Sequence, residues 1–98
     1  MRLAFTMTQD TELYRLIGKR LRSRRRSMEL TQREVARACD TTFQQIQKHE
    51  AGAHTMTVGR LLRLADALQA PIGYFLEPSA EEAYPPFADP KRSGAAGH

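Results

Sequence analysis

The run Thr42-Phe43-Gln44-Gln45-Ile46-Gln47-Lys48-His49-Glu50 gathers side chains suited to reading hydrogen-bond patterns on a partner. A glutamine amide donates and accepts through one planar group, which is what engaging N7 and the N6 amino group of adenine requires. Lys48 can donate to guanine O6 or N7, or to a phosphate, and Phe43 offers an apolar face to a thymine methyl. A second set is basic: six of the eight residues from Lys19 to Arg26 are Lys or Arg, and none is acidic. Six like charges within two turns repel one another, so an anionic partner would relieve a real cost. For both sets the plainer alternative is a solvated polar face.

Other chemistry is poorly served. His49-Glu50-Ala51-Gly52-Ala53-His54 resembles a zinc-protease helix only superficially, because its histidines stand five apart and diverge around a helix that Gly52 would end. One cysteine and three scattered histidines make no convincing metal set. Cys39 falls on an apolar face, where it reads as a small core residue. No glycine-rich phosphate loop, acid pair or Ser-His-Asp arrangement stands out, so neither a cofactor, a metal nor an enzymatic activity is expected.

The elements that must position these residues follow from periodicity. The chain has 98 residues, 41% hydrophobic and 27% charged, with a net charge of +4. That suits one small soluble domain. No apolar run approaches the roughly 18 residues of a membrane span. The start, MRLAFTMTQD, lacks the apolar block of a signal peptide, and the lone cysteine fits a reducing compartment. A cytoplasmic location is expected. The charge is uneven: residues 11–77 hold twelve Lys/Arg against seven Asp/Glu, a net of +5, and residues 78–98 hold two against three, a net of −1. Four of the five prolines and a Ser-Gly-Ala-Ala-Gly-His end lie in that last stretch, which predicts a flexible tail at 78–98. The division is an arm at 1–10, a folded domain at 11–77, and the tail.

Within the domain, Leu13, Leu16, Ile17 and Leu21 predict a helix from Glu12 to Ser27 with Thr11 as its cap. Thr31-Gln32-Arg33-Glu34 has the pattern of a capping box, and Thr42-Phe43-Gln44-Gln45 repeats it. These open two short helices that bury Val35, Ala36, Cys39 and Ile46. A turn at Asp40-Thr41 joins them at a steep angle. Small Ala36 suits their crossing point, and Gly52 ends the second by adopting positive φ. A fourth helix after Thr57 carries the stripe Val58, Leu61, Leu62, Leu64, Ala65 and Leu68. It stops before Pro71, and Ile72 to Leu76 forms a stub. No segment alternates as a strand would, so the fold class is all-α with five short helices.

This pattern of Leu30-Thr31-Gln32, Val35-Ala36, Thr42, Ile46, Glu50 and Gly52, followed by Leu61-Leu64-Ala65-Leu68, resembles the Cro/CI (XRE) family of helix-turn-helix regulators over about residues 16–77. The resemblance implies a compact five-helix, lambda-repressor-like DNA-binding domain. It places Thr42, Phe43, Gln44 and Lys48, with Gln47 as a weaker member, toward the bases of the major groove. Thr31 and Gln32 take phosphate at a helix N-terminus, where free amides favour anions. Arg22, Arg24 and Arg26 are left for phosphate contact, because Arg25 matches a position that pairs with Glu50. Three departures stand out: Asp40 replaces a turn glycine, His49 replaces a large apolar residue, and the connection Ala53-His54-Thr55-Met56 lacks the usual basic residues.

The function expected is a sequence-specific, double-stranded-DNA-binding transcriptional regulator, a repressor acting as a homodimer on a near-palindromic operator. Tyr74, Phe75 and Leu76 are the favoured dimer contact, although closing the core would explain Phe75 and Leu76 nearly as well. The arm around Leu3-Ala4-Phe5 is a second candidate surface. The rival readings are an antitoxin-like protein-interaction module using the tail, and non-specific nucleic-acid binding through Lys19 to Arg26.

Overall fold

The computed structural model describes residues 7–77; the arm up to residue 6 and the tail at 78–98 lie outside the described residues. Five helices follow in order: α1 (Met7–Ser27), α2 (Gln32–Ala38), α3 (Phe43–Glu50), α4 (Val58–Ala67) and α5 (Ile72–Leu76). No strand occurs among the described residues. Helix α1 reaches back to Met7, inside the expected arm, so Thr11 lies within the helix and is not its cap.

Of the two expected capping boxes, the one at Thr31 forms in full and the one at Thr42 keeps only its hydroxyl half. Thr31 Oγ1 accepts from the Glu34 amide at 3.0 Å and the Thr31 amide donates to Glu34 Oε1 at 2.8 Å, closing the box. Thr42 and Thr57 accept from the amides of Gln45 and Arg60, at 3.2 and 3.0 Å. Each such cap is worth about 1 kcal/mol, which matters for helices too short to persist alone. The helix ends repeat one device: after each of α1 to α4 the chain passes through a left-handed residue, at Glu29, Asp40, Gly52 and Gln69. Paired backbone bonds close the stop each time, such as Ala53 N to Lys48 O at 3.0 Å and Gly52 N to His49 O at 3.1 Å. Asp40, at φ 55°, thus performs the turn normally given to glycine.

The core unites all five helices around Ile17, Leu21, Ile46, Leu64, Leu68 and Phe75. Helices α1 and α3 touch at backbone level, since a Cβ on Gly18 would lie 2.5 Å from the Glu50 carbonyl oxygen and 2.6 Å from that of His49. Two expected assignments change. In α4, Val58 and Leu62 are 73% and 52% exposed, because only the Leu61-Leu64-Ala65-Leu68 side of the stripe meets the bundle. In α5, Tyr74 is buried and Phe75 is 0% exposed. They close the core from below α1, with Arg20 stacked 5.1 Å from the Tyr74 ring centroid and hydrogen-bonded to the Tyr74 carbonyl. Phe75 therefore has no surface to offer a dimer and Tyr74 has little; Leu76 is half-buried.

Candidate nucleic-acid interface

Helix α3 turns two faces in opposite directions. Ile46 and His49 are buried, each 2% exposed, whereas Thr42, Gln44, Gln47 and Lys48 are exposed. Positions 44, 47 and 48 share one side of a helix by the i, i+3, i+4 rule, so the polar row is presented together. Gln45 is half-buried, and its backbone amide serves the Thr42 cap. Eight residues give α3 a length of about 12 Å, comparable with the width of a B-DNA major groove.

The frame behind this row is held by one ion pair and its neighbours. Arg25 grips Glu50 in two places, Nε to Oε2 at 2.6 Å and Nη2 to Oε1 at 3.1 Å, and its Nη1 donates to the Leu30 carbonyl at 2.8 Å. Gln32 Nε2 donates to Glu50 Oε1 at 3.0 Å. One carboxylate thereby ties α1, the start of α2 and the end of α3, with its side chain only 6% exposed. The expected Arg25–Glu50 pair forms, and Gln32 is held by it rather than lying free at the helix N-terminus.

A shallow depression beside this junction is lined by Arg22, Thr31, Gln32, Gln47 and Glu50. It brings three of the expected phosphate-binding residues beside Gln47 of the outward polar row. Arg22 also borders a second depression with Lys19, Ser23 and Arg26, so exposed cationic charge continues along α1 from the junction. Arg24 does not belong to that surface. It is 4% exposed, with Nε donating to the Leu68 carbonyl at 2.8 Å, and it caps the C-terminal end of α4 from inside the bundle. Its expected phosphate role is withdrawn, because a side chain so enclosed reaches no duplex.

Other residues shape the interface without a clear sequence signal. Arg33, on the first turn of α2, lies over the Phe43 ring with its guanidinium carbon 4.0 Å from the centroid. Arg60 Nη1 donates to the Cys39 carbonyl at 3.1 Å, fixing the turn between α2 and α3 from α4. The loop after Gly52 is pinned by Tyr14, whose ring stacks on His54 at 4.7 Å between centroids. Cys39 is buried, and that burial pushes its thiol up from the usual range. Among the described residues no group of His, Cys, Asp and Glu is arranged to hold a metal ion, and no helix is long and apolar enough to cross a membrane.

Two short capped helices, a left-handed turn between them, and an outward polar face on the second define a helix-turn-helix domain. Residues 16–73 match the sequence family described as a helix-turn-helix domain, and the chain belongs to it. It is 41% identical over 61 residues to a Sinorhizobium fredii protein named as an uncharacterized HTH-type transcriptional regulator, covering 62% of this chain and 43% of that one. A Rhodospirillum rubrum protein, named as an uncharacterized transcriptional regulator in the ATPase CF(0) region, is 44% identical over 59 residues, 60% of this chain and 55% of its own. A Rickettsia conorii protein, named as an uncharacterized HTH-type transcriptional regulator, is 41% identical over 70 residues, 71% of this chain and 55% of its own. The matched stretch spans about half the length of these relatives.

Proposed function

We propose that this chain is a sequence-specific DNA-binding regulator of transcription of the Cro/CI kind, with α3 in the major groove. The observation that carries the reading is the division of α3 itself: Ile46 and His49 face the core while Gln44, Gln47 and Lys48 face out beside Thr42 and Phe43. In this reading Thr42, Phe43, Gln44, Gln47 and Lys48 contact bases. Thr31, Arg22 and Arg26 contact phosphates, as does Gln32 through its backbone amide at the start of α2, its side chain being engaged by Glu50; such contacts fix register without reading sequence. The names of the relatives, all regulators, support the same assignment.

An eight-residue recognition helix spans only a few base pairs. The proposed acting species is accordingly a homodimer on a near-palindromic operator, its half-sites about 34 Å apart. Repression then follows from occluding a promoter. Selection of bound fragments from a random duplex pool tests the whole reading. The expected outcome is an enriched, symmetric sequence, for which Gln44→Ala costs about 1–3 kcal/mol while random DNA binds nearly as before. Equal losses on both DNAs would leave only non-specific binding.

A further inference from the structure

Arg33 is not among the proposed base or phosphate contacts, yet its guanidinium lies over the ring of a proposed base-reading residue. Its guanidinium carbon lies 4.0 Å from the centroid of the Phe43 ring. Both residues stand on first turns whose backbones are fixed, α2 by the Thr31–Glu34 box and α3 by the Thr42 cap. The only freedom left to the ring is in its side-chain torsions, and a planar cation stacked at this distance restricts those. Among the described residues no carboxylate takes Arg33 into a salt bridge. The ring is half-buried at the mouth of an open depression shared with Thr42 and Gln44, and Arg33 itself is exposed. A half-covered aromatic face there offers no hydrogen bond. The feature of the major groove it complements is the one apolar group displayed there, the C5-methyl of a pyrimidine.

We propose that Arg33 is a specificity-positioning residue: stacked on Phe43, it holds the ring as a contact for a C5-methyl group, so that one position of the bound site is read by that methyl. Thymine and 5-methylcytosine carry the same group in the same place, and either can supply it. The inference rests on the DNA-binding reading. A guanidinium that served only a phosphate would strengthen all sequences alike and leave methyl discrimination untouched; one that orders the ring couples to a single methyl.

The experiment is a cycle that crosses protein variants with methyl deletions, which isolates such coupling. On the duplex selected from the random pool, each thymine is replaced singly by deoxyuridine, and each cytosine by 5-methylcytosine. Binding is measured for the unaltered chain, Arg33→Ala and Arg33→Lys, and thermal unfolding checks that the variants stay folded. At one position, the unaltered chain is expected to bind the methylated pyrimidine about fourfold more tightly, the worth of one buried carbon. Thymine against deoxyuridine reports one source of the methyl, and 5-methylcytosine against cytosine the other. In Arg33→Ala that preference falls below about twofold. Arg33→Lys keeps the charge but not the planar stack, so it retains the salt dependence and loses most of the methyl preference. A selected site indifferent to every methyl, or an Arg33→Ala loss equal on both members of a pair, overturns the proposal and leaves the regulator reading intact. A chain that selects no sequence removes both.

Discussion

At the scale of single residues, His49 carries a cost that its neighbours do not share. Its ring is 2% exposed, and among the described residues neither nitrogen has a hydrogen-bond partner. Burial lowers its pKa from the ordinary 6.5, and the positive charge of Arg60 lowers it further. The folded chain therefore holds the neutral imidazole, while the unfolded chain takes up a proton near 6.5. Where the unfolded state binds more protons, stability rises with pH. His49 thus weighs against folding as pH falls from about 6.5 toward its depressed folded value, and contributes no pH dependence above that window. Urea midpoints measured from pH 8 to 5.5 should drop through the lower part of this range. His49→Leu should flatten that drop, and it should stabilise the domain at neutral pH by about 1–3 kcal/mol by removing unpaired polar atoms. An unchanged pH slope in the variant would remove His49 as its source. The apolar residue expected at this position by resemblance is, on physical grounds, the easier one to bury.

At the scale of elements, the starts of α2, α3 and α4 were legible, whereas the start of α1 and some helix ends were not. Thr31, Thr42 and Thr57 announce α2, α3 and α4 because a hydroxyl at the N-cap has a fixed local job that does not depend on the rest of the fold. Glu29 and Gln69 carry no such sign, yet both adopt φ above 50° to end α1 and α4. Here the packing of the bundle overrides a local preference worth about 1–2 kcal/mol. Gly18 was equally silent, since a glycine inside a helix usually means weakness rather than contact. Its reason is the α3 backbone lying against it, with the Glu50 and His49 carbonyls where a side chain would stand. Gly18→Ala should therefore destabilise despite the better helix propensity of alanine. Overpacking costs about 1–3 kcal/mol, against about 1 kcal/mol regained from propensity, and here the obstructing atoms are backbone that cannot rotate away. Chemical denaturation should show the midpoint falling, and DNA binding should weaken as α3 is pushed outward. A rise in stability would mean the two helices separate at little cost.

For the molecule as a whole, the question is which arginines serve the fold and which serve a partner. Arg24, Arg25 and Arg26 are adjacent in sequence, but a helix turns about 100° per residue and sends them three ways. Arg24 enters the bundle, Arg25 reaches across to Glu50, and Arg26 stays in solvent. The inward pair was legible in principle: Ile17, Arg20, Leu21, Arg24 and Met28 follow one apolar-facing stripe, and all five are buried. Charge obscured it, because long basic side chains ordinarily escape a core by extending past it. Helix α5 was ambiguous for the opposite reason, its apolar residues fitting an interface or a core equally well until Phe75 is seen wholly enclosed. The division predicts opposite behaviour for neighbouring substitutions. Arg24→Ala should cost about 1.5–3 kcal/mol of stability through loss of the charged hydrogen bond to Leu68. The protein that remains folded should show an unaltered salt dependence of DNA binding. Arg26→Ala should leave unfolding unchanged and reduce the slope of log affinity against log salt by about 0.9, as expected when a single phosphate is no longer neutralised. Salt titrations of both variants beside their melting curves check the contrast. If the slope changes for Arg24→Ala and not for Arg26→Ala, duplex approaches a face other than the one that carries Arg22, Thr31 and Gln47.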